Sequence, residues 1–352
     1  MDGLDCCYVD INIINNVMKY NIIKHNTIPF SEKIKNSISS IIGSDNEIKV
    51  LDVNKELGVE FLNIVKDFIK VEHVELICMH GQTITHIDKI KTRQIGDPKY
   101  LFDYYNIPVI YDFRTQDIFL GGNGAPLVPY LDWLLSKKNK ESIFTINLGG
   151  IANITYIDKL LSRDKVIGFD TGPGMCLIDQ YVQKHWNLDY DFNGEIAKNG
   201  KINNDLLNEL LKHPFLRRKF PKSTSREEFD LHYIENIAKK HIKINNLDFL
   251  RTLVNFTACS IYFNSKLLRF NNEKIKIIIS GGGAKNPLLV NDIKNMFSVD
   301  EIFTSECYGI NIDIKEAFLM AVMGYSRYNN IDNNMPSVTG ARTYSSYGKI
   351  YE

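Results

Sequence analysis

Two short stretches decide the fold class of this chain. The first is Asn147-Leu148-Gly149-Gly150-Ile151-Ala152-Asn153, and the second is Gly168-Phe169-Asp170-Thr171-Gly172-Pro173-Gly174. Each follows an apolar, β-branched run, so both are predicted to be strand ends that open onto tight turns. Glycine amides at a strand end can hold phosphate oxygens because no Cβ blocks the anion. Asp170, between the two turns, then lies where it can deprotonate a nucleophile beside a phosphoryl group, which favours kinase chemistry.

Length and charge narrow the class of protein. The chain has 352 residues, more than one hydrophobic core usually organises, so two domains are expected. Lys+Arg and Asp+Glu are equal at 42 each, which leaves no basic surplus for a nucleic-acid backbone or an anionic membrane. No apolar run approaches the length of a membrane span, and no leader is evident. We therefore expect a cytoplasmic protein that acts on small molecules, without nucleic-acid or membrane partners.

The cysteines and histidines give no sign of a metal site. The six cysteines contain no Cys-x-x-Cys pair and no zinc-like spacing, so they are predicted to be reduced, mostly buried thiols. His80 and His86 match no common ligand spacing. No metal held directly by the protein is predicted.

Strands and helices alternate along the chain, which predicts α/β layers. The hinge between the two domains is placed near residues 117–126, a glycine-rich stretch. The predicted strands are 6–13, 74–79, 107–111, 143–146, 166–167 and 276–280, and the predicted helices are 56–70, 127–135, 176–185, 247–270, 287–296 and 314–328.

A third glycine turn, Gly281-Gly282-Gly283, follows an apolar strand and precedes a helix. It is predicted to cradle a nucleotide, with Asn286 as a side-chain partner. A plain connection from strand to helix is the alternative. The chain contains neither a Walker A loop nor a Gly-x-Gly-x-x-Gly fingerprint opening a βαβ unit, so P-loop enzymes and dinucleotide dehydrogenases are disfavoured.

Each candidate polar residue also has a structural explanation. Asp170 is either a catalytic base or the side chain of an Asx turn that caps its own loop. Arg114 either clamps a carboxylate or sugar hydroxyl, or forms an ion pair with Asp112 or Asp117. Glu316 begins a helix and can simply complement the helix dipole.

Two further polar segments carry predictions of their own. His80, Gln82 and Thr83 are predicted to hydrogen-bond a polyhydroxylated ligand. The polar run 222–227 is predicted to be a solvated loop.

Taken together, these blocks resemble the anhydro-N-acetylmuramic acid kinases, a branch of the actin, sugar-kinase and heat-shock-chaperone ATPase superfamily. They occur in family order over essentially the whole chain. The matching stretches are 2–5, 80–83, 94–97, 112–114, 121–126, 147–153, 169–174, 190–191 with Gly194, 221–224, 281–283 with Asn286, 316–318 and 338–341.

The resemblance implies two RNase H-like (actin-like ATPase) domains, 1–117 plus 333–352 and 118–332, around a cleft. Asp170 matches the base that activates water toward a 1,6-anhydro sugar while O6 takes the γ-phosphate of ATP, carried with Mg²⁺. The product is N-acetylmuramic acid 6-phosphate, which returns cell-wall sugar to metabolism, and a homodimer is expected. The implied ATP-site residues are Asp2, Gly3, Asp5, Gly149, Gly150, Asn153, Gly172, Gly281, Gly282, Gly283 and Asn286. The implied sugar-site residues are His80, Gln82, Arg114 and Glu316.

The chain departs from the family pattern in four places. It begins inside the first phosphate-loop motif, so the first strand of the N-terminal domain is expected to be missing, either because the start codon was assigned late or because the product is inactive. Met175, Ser225 and Asn123 replace a usual Asn, Gly and Gln. A kinase for levoglucosan, which lacks the lactyl carboxylate, and an inactive relative remain as alternatives.

Overall fold

The protein forms two compact units in the computed structural model, which describes residues 3–44, 46–69, 73–137, 139–160, 162–268 and 275–352. Unit 1 comprises Met1–Lys137 and Asp313–Glu352, and unit 2 comprises Lys138–Ile312. Both units combine strands with helices, so the α/β prediction is confirmed. Among the described residues, no helix is both long and apolar enough to cross a bilayer.

The strands and helices have the following bounds. The strands are β1 Gly3–Ile14, β2 Val17–Pro29, β3 Ile77–Cys78, β4 Gln82–Ile87, β5 Lys91–Ile95, β6 Val109–Tyr111, β7 Ser142–Leu148, β8 Ile151–Ile157, β9 Ile167–Pro173, β10 Ile275–Ser280, β11 Phe303–Thr304 and β12 Lys349–Tyr351. The helices are α1 Glu32–Ser39, α2 Glu47–Phe68, α3 Lys99–Tyr105, α4 Thr115–Phe119, α5 Val128–Ser136, α6 Cys176–Trp186, α7 Asn204–Leu210, α8 Leu231–Ala238, α9 Asn246–Ser265, α10 Pro287–Phe297, α11 Lys315–Tyr328 and α12 Pro336–Thr339.

Unit 2 is built on a five-stranded sheet with the order β11-β10-β7-β8-β9. β7, β8 and β9 form an antiparallel meander, whereas β10 runs parallel to β7 and β11 parallel to β10. This arrangement agrees with the predicted RNase H-like domain. Phe144, Ile146 and Leu148 on β7 are fully buried, in one core cluster with apolar side chains of α9 and α10. The other face of β7 is also largely buried, since Ile143 and Thr145 are 0% and 5% exposed, and Asn147 near the end of the strand is partly exposed.

Unit 1 arranges its strands differently. β1 and β2 pair as an antiparallel hairpin, β12-β6-β3 form a second sheet, and β4 pairs with β5. In unit 2, β7 lies between the antiparallel strands β8-β9 and the parallel strand β10. Among the described residues of unit 1, no strand occupies the corresponding position between β1 and β3.

The division between the units differs from the predicted domain boundaries, which were placed after residues 117 and 332. The chain changes unit after residues 137 and 312 instead. The reason is that α11 packs against β1, β3, β6 and α5, so all of these belong to one core. Two buried contacts join α5 to α11: Lys315 and Asp132 form an ion pair at 2.7 Å, and the hydroxyls of Tyr130 and Ser326 are 3.0 Å apart.

A buried carboxylate ties the loop after α4 to the C-terminal segment of unit 1. Asp117 is 0% exposed and accepts hydrogen bonds from the Gly124 amide at 2.6 Å, Thr339 Oγ1 at 2.7 Å and the Tyr347 hydroxyl at 2.7 Å. A Cβ at Gly122 would overlap the same carboxylate. Since buried charges are tolerated only when fully hydrogen-bonded, Asp117 fixes the conformation of the loop.

Replacing Asp117 by Ala should therefore destabilise the protein by about 3 kcal/mol or more, because three donors lose one buried acceptor. Tyr347→Phe is the matched control, since it removes only one of these donors and should cost about 1 kcal/mol. Urea unfolding followed by circular dichroism measures both. Equal losses in the two variants would contradict the anchoring role of Asp117.

Candidate active site

A row of polar side chains crosses four strands of the unit 2 sheet. Ser280 on β10 pairs with Asn147 on β7, Asn147 pairs with Asn153 on β8, and Asn153 pairs with Asp170 on β9. Residues directly opposite each other point to the same face of a sheet. Ser280 Oγ and Asn147 Oδ1 are 3.3 Å apart, which shows the contact between the first two members. The predicted base therefore shares one face with the amide side chains that end β7 and begin β8.

The strand that carries Asp170 is bulged at this point. The β8–β9 register shifts between Ala152 and Asn153, so that Ala152 pairs with Gly172 while Asn153 pairs with Asp170. The extra residue is Thr171, whose Oγ1 donates to the Ala152 carbonyl at 3.1 Å. Bulges bend a strand and redirect its side chains, and they are frequent beside active sites.

Asp170 is held by a segment distant in sequence. Its amide donates to the Lys222 carbonyl at 3.2 Å, and its Oδ2 accepts from the Thr224 amide at 2.9 Å. This contact reaches well beyond the local Asx turn that was considered as an alternative. It also corrects the prediction that 222–227 is only a solvated loop, since Lys222 is 7% exposed.

The Gly149-Gly150 turn is fixed by the start of α6. The Gly149 carbonyl accepts from the Met175 amide at 2.8 Å, and the Gly150 carbonyl accepts from the Gly174 and Cys176 amides at 2.9 and 3.1 Å. These three amides are therefore engaged within the protein. The Cα of Gly150 faces Arg226, whose Nε would lie 2.5 Å from an added Cβ, whereas Gly149 is more open.

The third glycine turn packs beside the first. Gly281 has a φ of +81°, and an added Cβ would lie 2.9 Å from the Leu148 carbonyl oxygen. A Cβ at Gly283 would lie 2.8 Å from the Leu148 Cβ and 2.9 Å from Met175 Sδ. Around Gly282 no atom lies within 4 Å of such a Cβ. Gly282 is thus the member of this turn that faces open space.

Other predicted ATP-site residues have structural roles. Gly172 is buried with a φ of +132°, next to Leu216 and Ser260, so its conformation accounts for the glycine. Asn286 caps α10, because its Oδ1 accepts from the Leu288 and Leu289 amides, both at 3.1 Å.

The predicted N-terminal half-loop is strand in the structure. Gly3 and Asp5 lie within β1, paired with Pro29 and Thr27 of β2. Thr27 Oγ1 donates to Asp5 Oδ1 at 2.6 Å. The predicted contact of these residues with ATP stays a prediction. Asp2 lies outside the described residues.

In unit 1, His80 supports Arg114. Arg114 Nε donates to His80 Nε2 at 2.9 Å, and Arg114 Nη1 donates to the Gly124 carbonyl at 2.9 Å. His80 Nδ1 donates to the Gly81 carbonyl at 2.8 Å, which assigns the proton to Nδ1 and leaves Nε2 as the acceptor. Burial and then the Arg114 charge lower the pKa of His80 from 6.5 to about 3. Both ring nitrogens of His80 are therefore engaged within the protein, and its predicted contact with the sugar stays a prediction.

The ion pairs considered as alternatives for Arg114 are not the arrangement found. Asp112 binds Lys349 Nζ at 2.7 Å, and Asp117 accepts the three hydrogen bonds described above. Burial lowers the pKa of Arg114, and the charges of Glu316 and Asp117 oppose that lowering. Glu316 is exposed, in the first turn of α11. Gln82 lies on β4 with its Nε2 donating to the Thr83 carbonyl at 3.2 Å.

Two residues of the site were missed by sequence reasoning. Arg226 covers Gly150, and Lys222 lies behind the strand that carries Asp170. The family match at 221–224 marked the segment of Lys222 without indicating that it folds against β9, and Arg226 lies just outside that match.

The open position of Gly282 can be tested with a matched pair of alanine variants. Gly282→Ala should leave the unfolding temperature unchanged and weaken ATP binding at least tenfold, about 1.4 kcal/mol, because the new methyl enters the space assigned to the nucleotide. Gly174→Ala, whose Cβ would overlap the Gly149 carbonyl oxygen, should cost about 1–3 kcal/mol of stability. Calorimetry of unfolding and ATP titration measure these effects. Unchanged ATP affinity in Gly282→Ala would contradict the assignment of this turn.

The neutral state of His80 predicts a pH dependence of stability. The folded pKa is lowered to about 3 from 6.5, so the unfolded chain binds more protons between these values. The stabilisation is complete above pH 6.5 and is lost as the pH falls toward 3. His80→Gln keeps an acceptor for Arg114 but cannot titrate, so its stability should fall less over this window. Identical pH profiles of unfolding for the two proteins would contradict this account.

The chain is similar to known proteins over its whole length. The family model described as anhydro-N-acetylmuramic acid kinase matches residues 1–352. The anhydro-N-acetylmuramic acid kinase of Clostridioides difficile (strain 630) is 36% identical over 366 residues, covering 99% of this chain and 95% of that protein. The one from Bacillus cereus (strain AH187) is also 36% identical over 366 residues, with 99% and 96% covered.

Among solved structures, the activator of the 2-hydroxyisocaproyl-CoA dehydratase from Clostridium difficile with bound ADPNP has a TM-score of 0.42 at 12% identity, covering 92% of this chain and 96% of that chain. The family match over the whole chain and the 36% identity to the two kinases of Clostridioides difficile and Bacillus cereus confirm the family predicted from the motifs. The chain belongs to the anhydro-N-acetylmuramic acid kinase family.

Proposed function

We propose that this protein is an ATP-dependent carbohydrate kinase that opens the 1,6-anhydro ring of anhydro-N-acetylmuramic acid and yields N-acetylmuramic acid 6-phosphate and ADP. Its family membership supports the substrate. The observation that carries the mechanism is the position of Asp170, which shares one sheet face with Asn147 and Asn153, next to the Gly149-Gly150 turn.

Asp170 is proposed to act as the general base. Its carboxylate takes a proton from water, the water oxygen bonds to the anomeric carbon, and the bond from that carbon to O6 breaks. O6 then bonds to the γ-phosphorus of ATP, and the bond from that phosphorus to the bridging oxygen of ADP breaks. The Thr224 amide holds one carboxylate oxygen at 2.9 Å, which keeps the base oriented.

Mg²⁺ is proposed to arrive with the triphosphate. This ion prefers oxygen ligands and keeps several waters, and it neutralises charge on transferring phosphates. The side-chain oxygens of Asn147 and Asn153 are of the type that suits the waters of a hydrated Mg²⁺, so the polar face beside Asp170 fits an ion held mainly by the triphosphate.

Unit 1 is proposed to recognise the sugar through Arg114. Two of its five N–H donors are used by His80 and the Gly124 carbonyl, so the others are available for a carboxylate. A guanidinium held in one orientation favours the lactyl carboxylate of the muramic substrate over levoglucosan, which has none. A cytoplasmic location and a homodimer are proposed on the same family basis.

The role of Asp170 is tested with the purified protein, ATP, Mg²⁺ and the anhydro sugar. Formation of sugar phosphate and ADP in equal amounts is expected, and Asp170→Asn should lower kcat by about 10²–10⁴-fold because no base remains to accept the proton. Asp189→Asn, an exposed carboxylate of the same unit, is the matched control and should retain full activity. Full activity of Asp170→Asn would overturn the proposal.

A further inference from the structure

Lys222 is a buried cation for which the reaction described above has no direct use. Its side chain is 7% exposed, and Nζ donates to the Phe215 carbonyl at 3.1 Å and to Asn264 Oδ1. Nζ also lies 4.5 Å from the centroid of the Phe215 ring. Both hydrogen-bond acceptors are neutral. Since removing an ammonium group from water is costly, its burial calls for a compensating role.

The contacts of Lys222 lead to both sides of Asp170. On one side, the Lys222 carbonyl accepts the Asp170 amide at 3.2 Å. On the other, Asn264, which is 0% exposed and accepts from Lys222 Nζ, donates its Nδ2 to the Thr171 carbonyl at 2.9 Å. Thr171 is the extra residue of the bulge. The lysine is thus joined by hydrogen bonds to the residue before and the residue after the Asp170–Thr171 peptide bond.

The charges around Lys222 oppose one another. Burial, and after it the charge of Arg218, lower the pKa of Lys222 from 10.5 to about 8, while the charge of Asp170 opposes this lowering. Arg218 is itself paired with Glu228, with Nη2 and Oε1 2.6 Å apart. The ammonium and the Asp170 carboxylate therefore attract each other.

We propose that Lys222 is a positioning residue for the reaction: through Asn264 and its own carbonyl it holds the bulged strand that presents Asp170. The inference rests on the proposed function of Asp170 as the base. It extends that function to a residue that does not itself touch the reacting atoms.

The test compares Lys222→Met, which removes the charge and both side-chain hydrogen bonds, with Lys222→Gln, which keeps a donor without the charge. Lys222→Met should lower kcat 10- to 100-fold with a KM for ATP within twofold of the original, and Lys222→Gln should recover part of that loss because it keeps a hydrogen-bond donor. Lys219→Met, an exposed lysine of the same segment, should change neither kcat nor KM.

A lower unfolding temperature together with an unchanged kcat in the folded variants would show a purely structural role for Lys222 and would overturn the proposal. Asp170→Asn is measured in parallel. If Asp170→Asn is fully active, the proposed base is wrong; if it is inactive while Lys222→Met retains the original kcat, only the role of Lys222 is wrong.

Discussion

The register of three antiparallel strands is the constraint on which the site in unit 2 depends. Asn147, Asn153 and Asp170 stand opposite one another in that register, on strands whose apolar residues, such as Phe144, Ile146 and Phe169, are fully buried. A slip of one residue would carry Asp170 to the opposite face of the sheet. Burial of the apolar residues thus stabilises the register that places the carboxylate proposed as the base.

In each unit, residues with no proposed contact to the substrate hold the polar group that is proposed to act on it. In unit 2 the carboxylate of Asp170 is supported by the Thr224 amide and by the network around Lys222. In unit 1 Arg114 is oriented by a neutral histidine and by the Gly124 carbonyl, whose loop is fixed by buried Asp117. Such support keeps a charged group in one orientation before a ligand binds, which is the requirement for electrostatic catalysis and selective binding.

Much of the fold could be predicted because its signals are local. Apolar runs with turn glycines predict β7 and β10 close to their observed bounds, whereas β9 was predicted to end at residue 167 and extends to Pro173 through the bulge. Individual glycine roles were harder to predict, since Gly172 and Gly282 look alike in sequence although one is packed against Ser260 and the other faces open space. Gly3 and Asp5 were assigned to a loop, whereas the strand pattern of 6–13 continues through them.

The features that sequence reasoning missed come from contacts between distant segments. Nothing in the polar run 222–227 indicates that Lys222 is buried behind a strand some 50 residues earlier, because its acceptors, Phe215 and Asn264, come from two other segments. The proton position on His80 likewise follows from where Arg114 lies. The domain boundaries shifted for the same reason, since α11 packs with α5 and the N-terminal strands.

The reaction proposed for Asp170 requires water to attack the anomeric carbon of the sugar while O6 takes the phosphate, and oxygen-isotope labelling distinguishes this route from attack of water on phosphorus. One turnover with anhydro-N-acetylmuramic acid and ATP in H₂¹⁸O, followed at once by mass spectrometry, should place one ¹⁸O on the anomeric carbon and none in the phosphate. Label in the phosphate, or an intact anhydro ring in the phosphorylated product, would contradict the account.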